Sequence, residues 1–149
     1  MAKVRLQALD SQDLEVLATH LQDMILRVGD MVHLPSTRRF AAIGTRFCWE
    51  HVDVEKAKPK KGKSYYRTQA GFHFDSVTGV RMQGFAQDDG EALMVLLSLA
   101  FEETQDGAGV VRLSMAGGAE IELTVECIDA AMSDLSAPWP TDQLPSHEA

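Results

Sequence analysis

The chain has 149 residues, 45% of them hydrophobic, the usual size of one domain and enough to bury a full core. Its formal charge of −8 at pH 7 excludes a whole-surface role on nucleic acid or anionic membrane, because phosphate binding needs clustered positive charge. Two cysteines, Cys48 and Cys127, lie far apart and outside any Cys-x-x-Cys pair, which gives no support to a disulfide framework or a structural zinc site.

Taken in chain order, Val4, Leu6 and Ala8 alternate with polar neighbours and predict a short first strand. Asp10 is a good helix N-cap, Leu9 and Leu14 are spaced as a hydrophobic staple, and Leu14, Leu17, Ala18 and Leu21 share one face. A helix is expected over residues 11–21. Residues 24–28 and 31–34 are strand-like runs with Gly29 and Asp30 as a turn between them. From Arg39 to Glu50, Ala41, Ile43, Thr45, Phe47 and Trp49 form an apolar face against Gly44, Arg46, Cys48 and Glu50. Residues 54–64 are lysine-rich, contain Pro59 and Gly62, lack apolar periodicity and predict a loop.

A strand is expected from Tyr65, with Ala70, Phe72 and Phe74 opposite Gln69, His73 and Asp75, then a turn at Thr78 and Gly79 into residues 80–86. Residues 93–101 are apolar on both faces, and a strand from about Val95 after a helical turn is the expectation. Residues 110–125 form a hairpin. A two-residue turn at Gly117 and Gly118 would set Met115 against Glu120, so an odd loop such as Gly117-Gly118-Ala119, pairing Met115 with Ile121, is expected. Ile128, Ala131, Met132 and Leu135 have helical spacing and predict an amphipathic helix over residues 127–135, followed by an irregular tail from Ala137.

This pattern reads as α+β: one globular domain over residues 1–136 and a tail over 137–149. The sheet is expected to be a mostly antiparallel barrel or sandwich, with an N-terminal helix and a C-terminal amphipathic helix. A meander closed by such a helix resembles a pleckstrin-homology-like barrel, although a fold alone names no ligand.

Two stretches carry candidate binding chemistry. Arg39, Arg46, Trp49, Glu50 and His51 form the densest mixture of arginine, aromatic and titratable groups, a composition shared by interface hot spots and by core packing with surface ion pairs. Lys56, Lys58, Lys60, Lys61, Lys63 and Arg67 are the one place where a phosphate could be attracted, or simply a solvated loop. His20, His33, His51, His73 and His147 are scattered, with no i, i+4 pair to hold a metal, and neither cysteine has an activating neighbour in sequence. No metal, cofactor or catalytic residue is assigned. An enzyme would need a site assembled by the fold around Cys48, His51 or His73.

Leu21-Gln22-Asp23, Val28-Gly29-Asp30-Met31, Leu34-Pro35, Arg38-Arg39-Phe40, Arg46-Phe47 and Trp49-Glu50 form a distinctive combination with Met115-Ala116-Gly117-Gly118 and Val125-Glu126-Cys127-Ile128. It resembles a bacterial domain-of-unknown-function family, family 2948, from Leu6 to about Trp139, with the lysine stretch its least family-like part. The resemblance implies a one-domain soluble bacterial protein and brings no substrate, cofactor or catalytic residue. The expectation is a non-catalytic binding or interaction module of the cytoplasm, meeting a protein partner or its own copy. Phosphate or nucleic-acid binding through the lysine loop is the alternative, then an enzyme. No signal peptide or membrane span is read from the sequence.

Overall fold

Alternating and capped segments become the elements of a computed structural model that describes residues 3–51, 65–85 and 89–145. In chain order these are β1 (Arg5–Ala8), α1 (Ser11–Leu21), β2 (Met24–Leu34), a 3-10 turn (Pro35–Thr37), β3 (Arg39–Phe47), a second 3-10 turn (Trp49–His51), β4 (Tyr65–Phe74), β5 (Val77–Gln83), β6 (Leu93–Gln105), β7 (Ala108–Met115), β8 (Glu120–Val125), β9 (Ala130–Asp134) and β10 (Trp139–Thr141).

The α1 helix starts where its cap dictates, since the Asp10 carboxylate accepts from the Asp13 amide at 2.8 Å. Leu14, Leu17 and Leu21 are its buried stripe. Leu9, cast as half of a staple, is 59% exposed.

All pairings are antiparallel, in the order β1-β9-β4-β3-β2-β6-β7-β8-β5, with β10 on β4. The path folds over itself at β2. That strand pairs β3 along both its halves but pairs β6 only through Met24 to Arg27, and its register with β3 shifts between Leu26 and Met31. The other corner is stitched by backbone: Asp75 N donates to Asp129 O at 2.8 Å, Val77 N to Arg38 O at 2.9 Å and Glu126 N to Ser76 O at 3.0 Å. Two sheet layers result, β1-β9-β4-β3-β2 and β2-β6-β7-β8-β5. Phe40, Phe72, Phe74, Leu96, Val111, Leu113, Ile121, Leu123 and the α1 leucines form one shared core.

Several expectations are corrected. Among the described residues the sheet does not close into a barrel, and residues 127–135 do not form a C-terminal helix; Ala130–Asp134 is β9, held between β1 and β4. The alternation there is real, because Ala130, Met132 and Asp134 are buried and Leu135 is exposed. A buried aspartate at the third inward position disguised it as helical spacing. The two runs around Gly29 are one strand; Gly29 N donates to Gly90 O at 2.8 Å, so the pair marks a bulge under the 90s turn rather than a reversal. The β4–β5 corner falls at Asp75 and Ser76, the latter with φ 59°, and Thr78 and Gly79 lie inside β5.

Odd loop parity in the β7–β8 hairpin is as expected, but the loop is Ala116-Gly117-Gly118. Met115 N donates to Ala119 O and Leu113 faces Ile121, because Gly117 and Gly118, both at positive φ, sit at the loop's end. Tail residues Trp139–Thr141, expected to be irregular, pair as β10 with Tyr65 to Arg67.

Candidate functional site

The Arg39 to His51 block divides into two environments because β3 has the opposite facing to the one its apolar residues suggest. Phe40, Ala42 and Arg46 are buried inward, whereas Ile43 is 45% exposed on the outside. Gly44 lets this happen. A Cβ there would stand 2.8 Å from Leu26 Cδ2 and press on the Ile25 carbonyl, so β2 crosses closely only over a glycine.

Arg46 is fully buried. It donates from Nε and Nη2 to the two Asp134 carboxylate oxygens at 2.7 and 2.9 Å, and from Nη1 and Nη2 to Glu50 Oε1 and Oε2 at 2.9 and 2.6 Å. Its Nη1 also reaches Phe47 O at 3.3 Å, and Asp134 Oδ2 accepts from Val4 N at 2.8 Å. Burial disfavours the Arg46 charge, yet the hydrogen bonds to Glu50 and Asp134 outweigh it and raise its pKa. Burial likewise opposes ionisation of Glu50, but Arg46 wins and the Glu50 pKa lies below the ordinary value. Every guanidinium N–H is thereby occupied. Arg46, expected on a surface, is instead buried, and with Glu50, which is exposed as expected, it ties together β3, β9, the segment before β1 and the second 3-10 turn.

The neighbouring aromatic group is a packed satellite. Trp49 stands edge-on to Phe47 with centroids 4.6 Å apart, its Nε1 donates to Gln22 O at 2.8 Å, and Arg67 lies 5.5 Å over the Phe47 ring. Arg67 is half-buried, and desolvation lowers its pKa, with Asp23 acting in the opposite direction. Lys56, Lys58, Lys60, Lys61 and Lys63 lie outside the described residues. His51 is exposed against Tyr66, with centroids 6.0 Å apart.

Cys48 and His51 sit in one turn, where His51 N donates to Cys48 O at 3.2 Å, but His73 does not join them. His73 faces Ala41 across the β3–β4 ladder, and Cys48 is seven residues further along, about 23 Å at strand rise. Burial pushes the Cys48 thiol up to about 11, which opposes thiolate chemistry. Among the described residues no three His, Cys, Asp or Glu side chains group as a metal site, and no helix is long and apolar enough to cross a membrane.

What the tertiary structure assembles is a trough of about 290 Å³ on the outer face of β3, β4 and β9. Ladder rows place Ala41, His73 and Ala131 side by side, and Ile43, Gly71 and Ser133 in the next row. Leu135 closes one side, its amide bonded to Gln69 O at 2.7 Å. Gly71 is the low point: a Cβ there would be 3.7 Å from both Ile43 Cγ1 and Leu135 Cδ1. Ile43 and Leu135 are 45% and 49% exposed, and Val32 and Leu34 continue the apolar surface onto β2. At one end Arg39 Nε donates to Asp75 Oδ1 at 2.7 Å, a bond that raises the Arg39 pKa, and His73 Nε2 is 3.5 Å from Asp75 Oδ2.

No carboxylate points outward from β3, β4 or β9, since their one acidic residue, Asp134, faces in. The outer face of the second layer is the reverse. There Arg112 hydrogen-bonds Glu102 and lies 3.6 Å from Glu120 and from Glu122, a solvated, ion-paired surface. Of the residues singled out from sequence, Arg39 and His73 belong to the trough. The available signal for the rest was the run Phe40-Ala41-Ala42-Ile43, apolar on both faces of a strand whose outer face would ordinarily be polar.

A family model described as "Protein of unknown function (DUF2948)" matches residues 4–147. Comparisons with curated proteins and with solved structures give no match.

Proposed function

The chain belongs to the DUF2948 family, proteins of unknown function, and we propose that it is a non-catalytic interaction module that docks through the outer face of β3, β4 and β9. One observation carries the reading: of the two outer sheet faces, one is laced with ion pairs and the other exposes Val32, Leu34, Ile43 and Leu135 around a glycine-floored trough. Contiguous exposed apolar surface rimmed by polar groups is the usual mark of a docking surface, whereas scattered apolar side chains are not. Arg39 and His73 at the rim supply orientation.

The test compares capture from native lysate by tagged wild type, by an Ile43→Lys, Leu135→Lys double variant and by Glu122→Lys on the opposite face. The reading expects a partner held by wild type and Glu122→Lys and lost by the double variant. Equal capture by all three places the docking surface elsewhere.

A further inference from the structure

We propose that the occupant of this apolar face is a second copy of the same chain, packed sheet on sheet about a twofold axis; the proposal rests on the reading of that face as the docking surface. Three features point to a copy of the chain.

The first is shape. A twofold contact is isologous, so one surface must supply both the protrusion and the recess it fills. This face does. Ile43 and Leu135 stand up beside the dip at Gly71, which is flanked by Ala41, Ala131 and Ser133. Ile43 of one copy can enter the dip of the other while the reciprocal residue does the same.

The second is charge. Each copy carries a formal −8, so two copies repel unless they meet through a surface with little net negative charge. The strands β3, β4 and β9 direct no carboxylate outward, Asp75 at the rim is already bonded to Arg39, and Asp30, the one carboxylate of β2, lies 3.9 Å from Arg27. The opposite face, with Glu102, Glu120 and Glu122 around one arginine, would bring like charges together.

The third is size. The five strands β2, β3, β4, β9 and β1 lie side by side. At about 4.8 Å between strands the face is roughly 24 Å across, and along the strands it runs from roughly 13 Å at the four-residue β1 and roughly 16 Å at the five-residue β9 to roughly 23 Å on the longer three. That footprint is roughly 470 Å², below the roughly 800 Å² per partner of a standard interface, which fits a small, weakly associating dimer whose mass depends on concentration. A small ligand confined to the trough would leave most of the exposed apolar surface uncovered.

The experiment is sedimentation equilibrium of purified full-length protein over a wide concentration range. For wild type and Glu122→Lys, the weight-average mass is expected to rise with concentration from 16.4 kDa toward twice that value. The Ile43→Lys, Leu135→Lys double variant is expected to stay at the monomer mass with an unchanged far-UV spectrum. A second variant, Gly71→Leu, fills the recess without adding charge and is expected to weaken the dimer at least tenfold. A wild-type mass of 16.4 kDa at every concentration overturns the proposal, as does a dimer that survives both face variants. Monomeric wild type that still loses its lysate partner in the double variant overturns the second copy while leaving the docking face intact. Failure of both measurements removes the docking face as well.

Discussion

Arg46 shows how one residue can be misplaced by its own charge. Its side chain has no exposed surface, and Asp134, its principal partner, is 1% exposed, so the pair is buried. Removing one member of such a pair leaves the other desolvated and unpaired, at a cost of about 3–5 kcal/mol. Arg46→Ala is therefore expected to lose stability on that scale in urea unfolding, and a loss below about 1 kcal/mol would show that Asp134 finds other partners. Glu50 supplies a pH dependence of known sign. Its folded pKa lies below the ordinary value, so the unfolded chain binds the proton more readily and stability rises with pH across the carboxylate range. That contribution is full above the unfolded-state pKa and lost as pH falls through the depressed folded value. Glu50→Gln should flatten this part of a stability-versus-pH curve, and an unchanged acid slope would rule the contribution out. The cysteines divide just as clearly: Cys127 is exposed, while Cys48 is buried with its pKa pushed up to about 11. A thiol reagent at neutral pH is expected to label Cys127 quickly and Cys48 only on unfolding, as mass spectrometry of the labelled peptides would show.

Strand β2 is the element on which the two layers turn. It changes partners along its length, from β6 and β3 at its start to β3 alone beyond the bulge, and the crossing is close only because Gly44 has no side chain. A Cβ there meets backbone and a packed leucine, neither of which can yield cheaply. Gly44→Ala is expected to cost about 1–3 kcal/mol by chemical denaturation, against the small gain expected of a glycine-to-alanine change in an unstrained strand. A neutral or stabilising result would mean that β2 is free to shift. At this scale α1, β4 and the hairpin parity were legible, because cap, alternation and turn chemistry are local. The helix assigned to residues 127–135 was wrong for a non-local reason. Ala130–Asp134 is the strand that satisfies the edges of both β1 and β4, and its inward polar residue is tolerated only because Arg46 lies opposite.

Across the whole molecule, both layers and α1 share one core, so neither layer has apolar contacts of its own to fall back on. Unfolding is expected to be a single cooperative step. Tryptophan fluorescence, from Trp49 and Trp139 on the first layer, and far-UV dichroism, from all strands, should give superimposable denaturation curves. Separate midpoints would show that the layers unfold independently. The unequal outer faces are also a property at this scale. No strand is unusual by itself, but the lateral order β9-β4-β3-β2 brings Leu135, Gly71, Ile43 and Val32 onto one continuous surface.

By itself, the amino-acid sequence determined the features that depend on neighbours a few residues apart: the class α+β with antiparallel strands, the N-terminal helix with its cap, the inward face of β4, the odd parity of the β7–β8 loop and the family resemblance. Only the tertiary structure decided which face of β3 points inward, that Arg46 and Asp134 meet across 88 positions, and that small residues from three separate strands line one trough. The physical reason is that strand pairing is non-local. A residue's facing is set by the partner strands that close its ladder and by the crossing that Gly44 permits, and neither is recorded in the residues beside it.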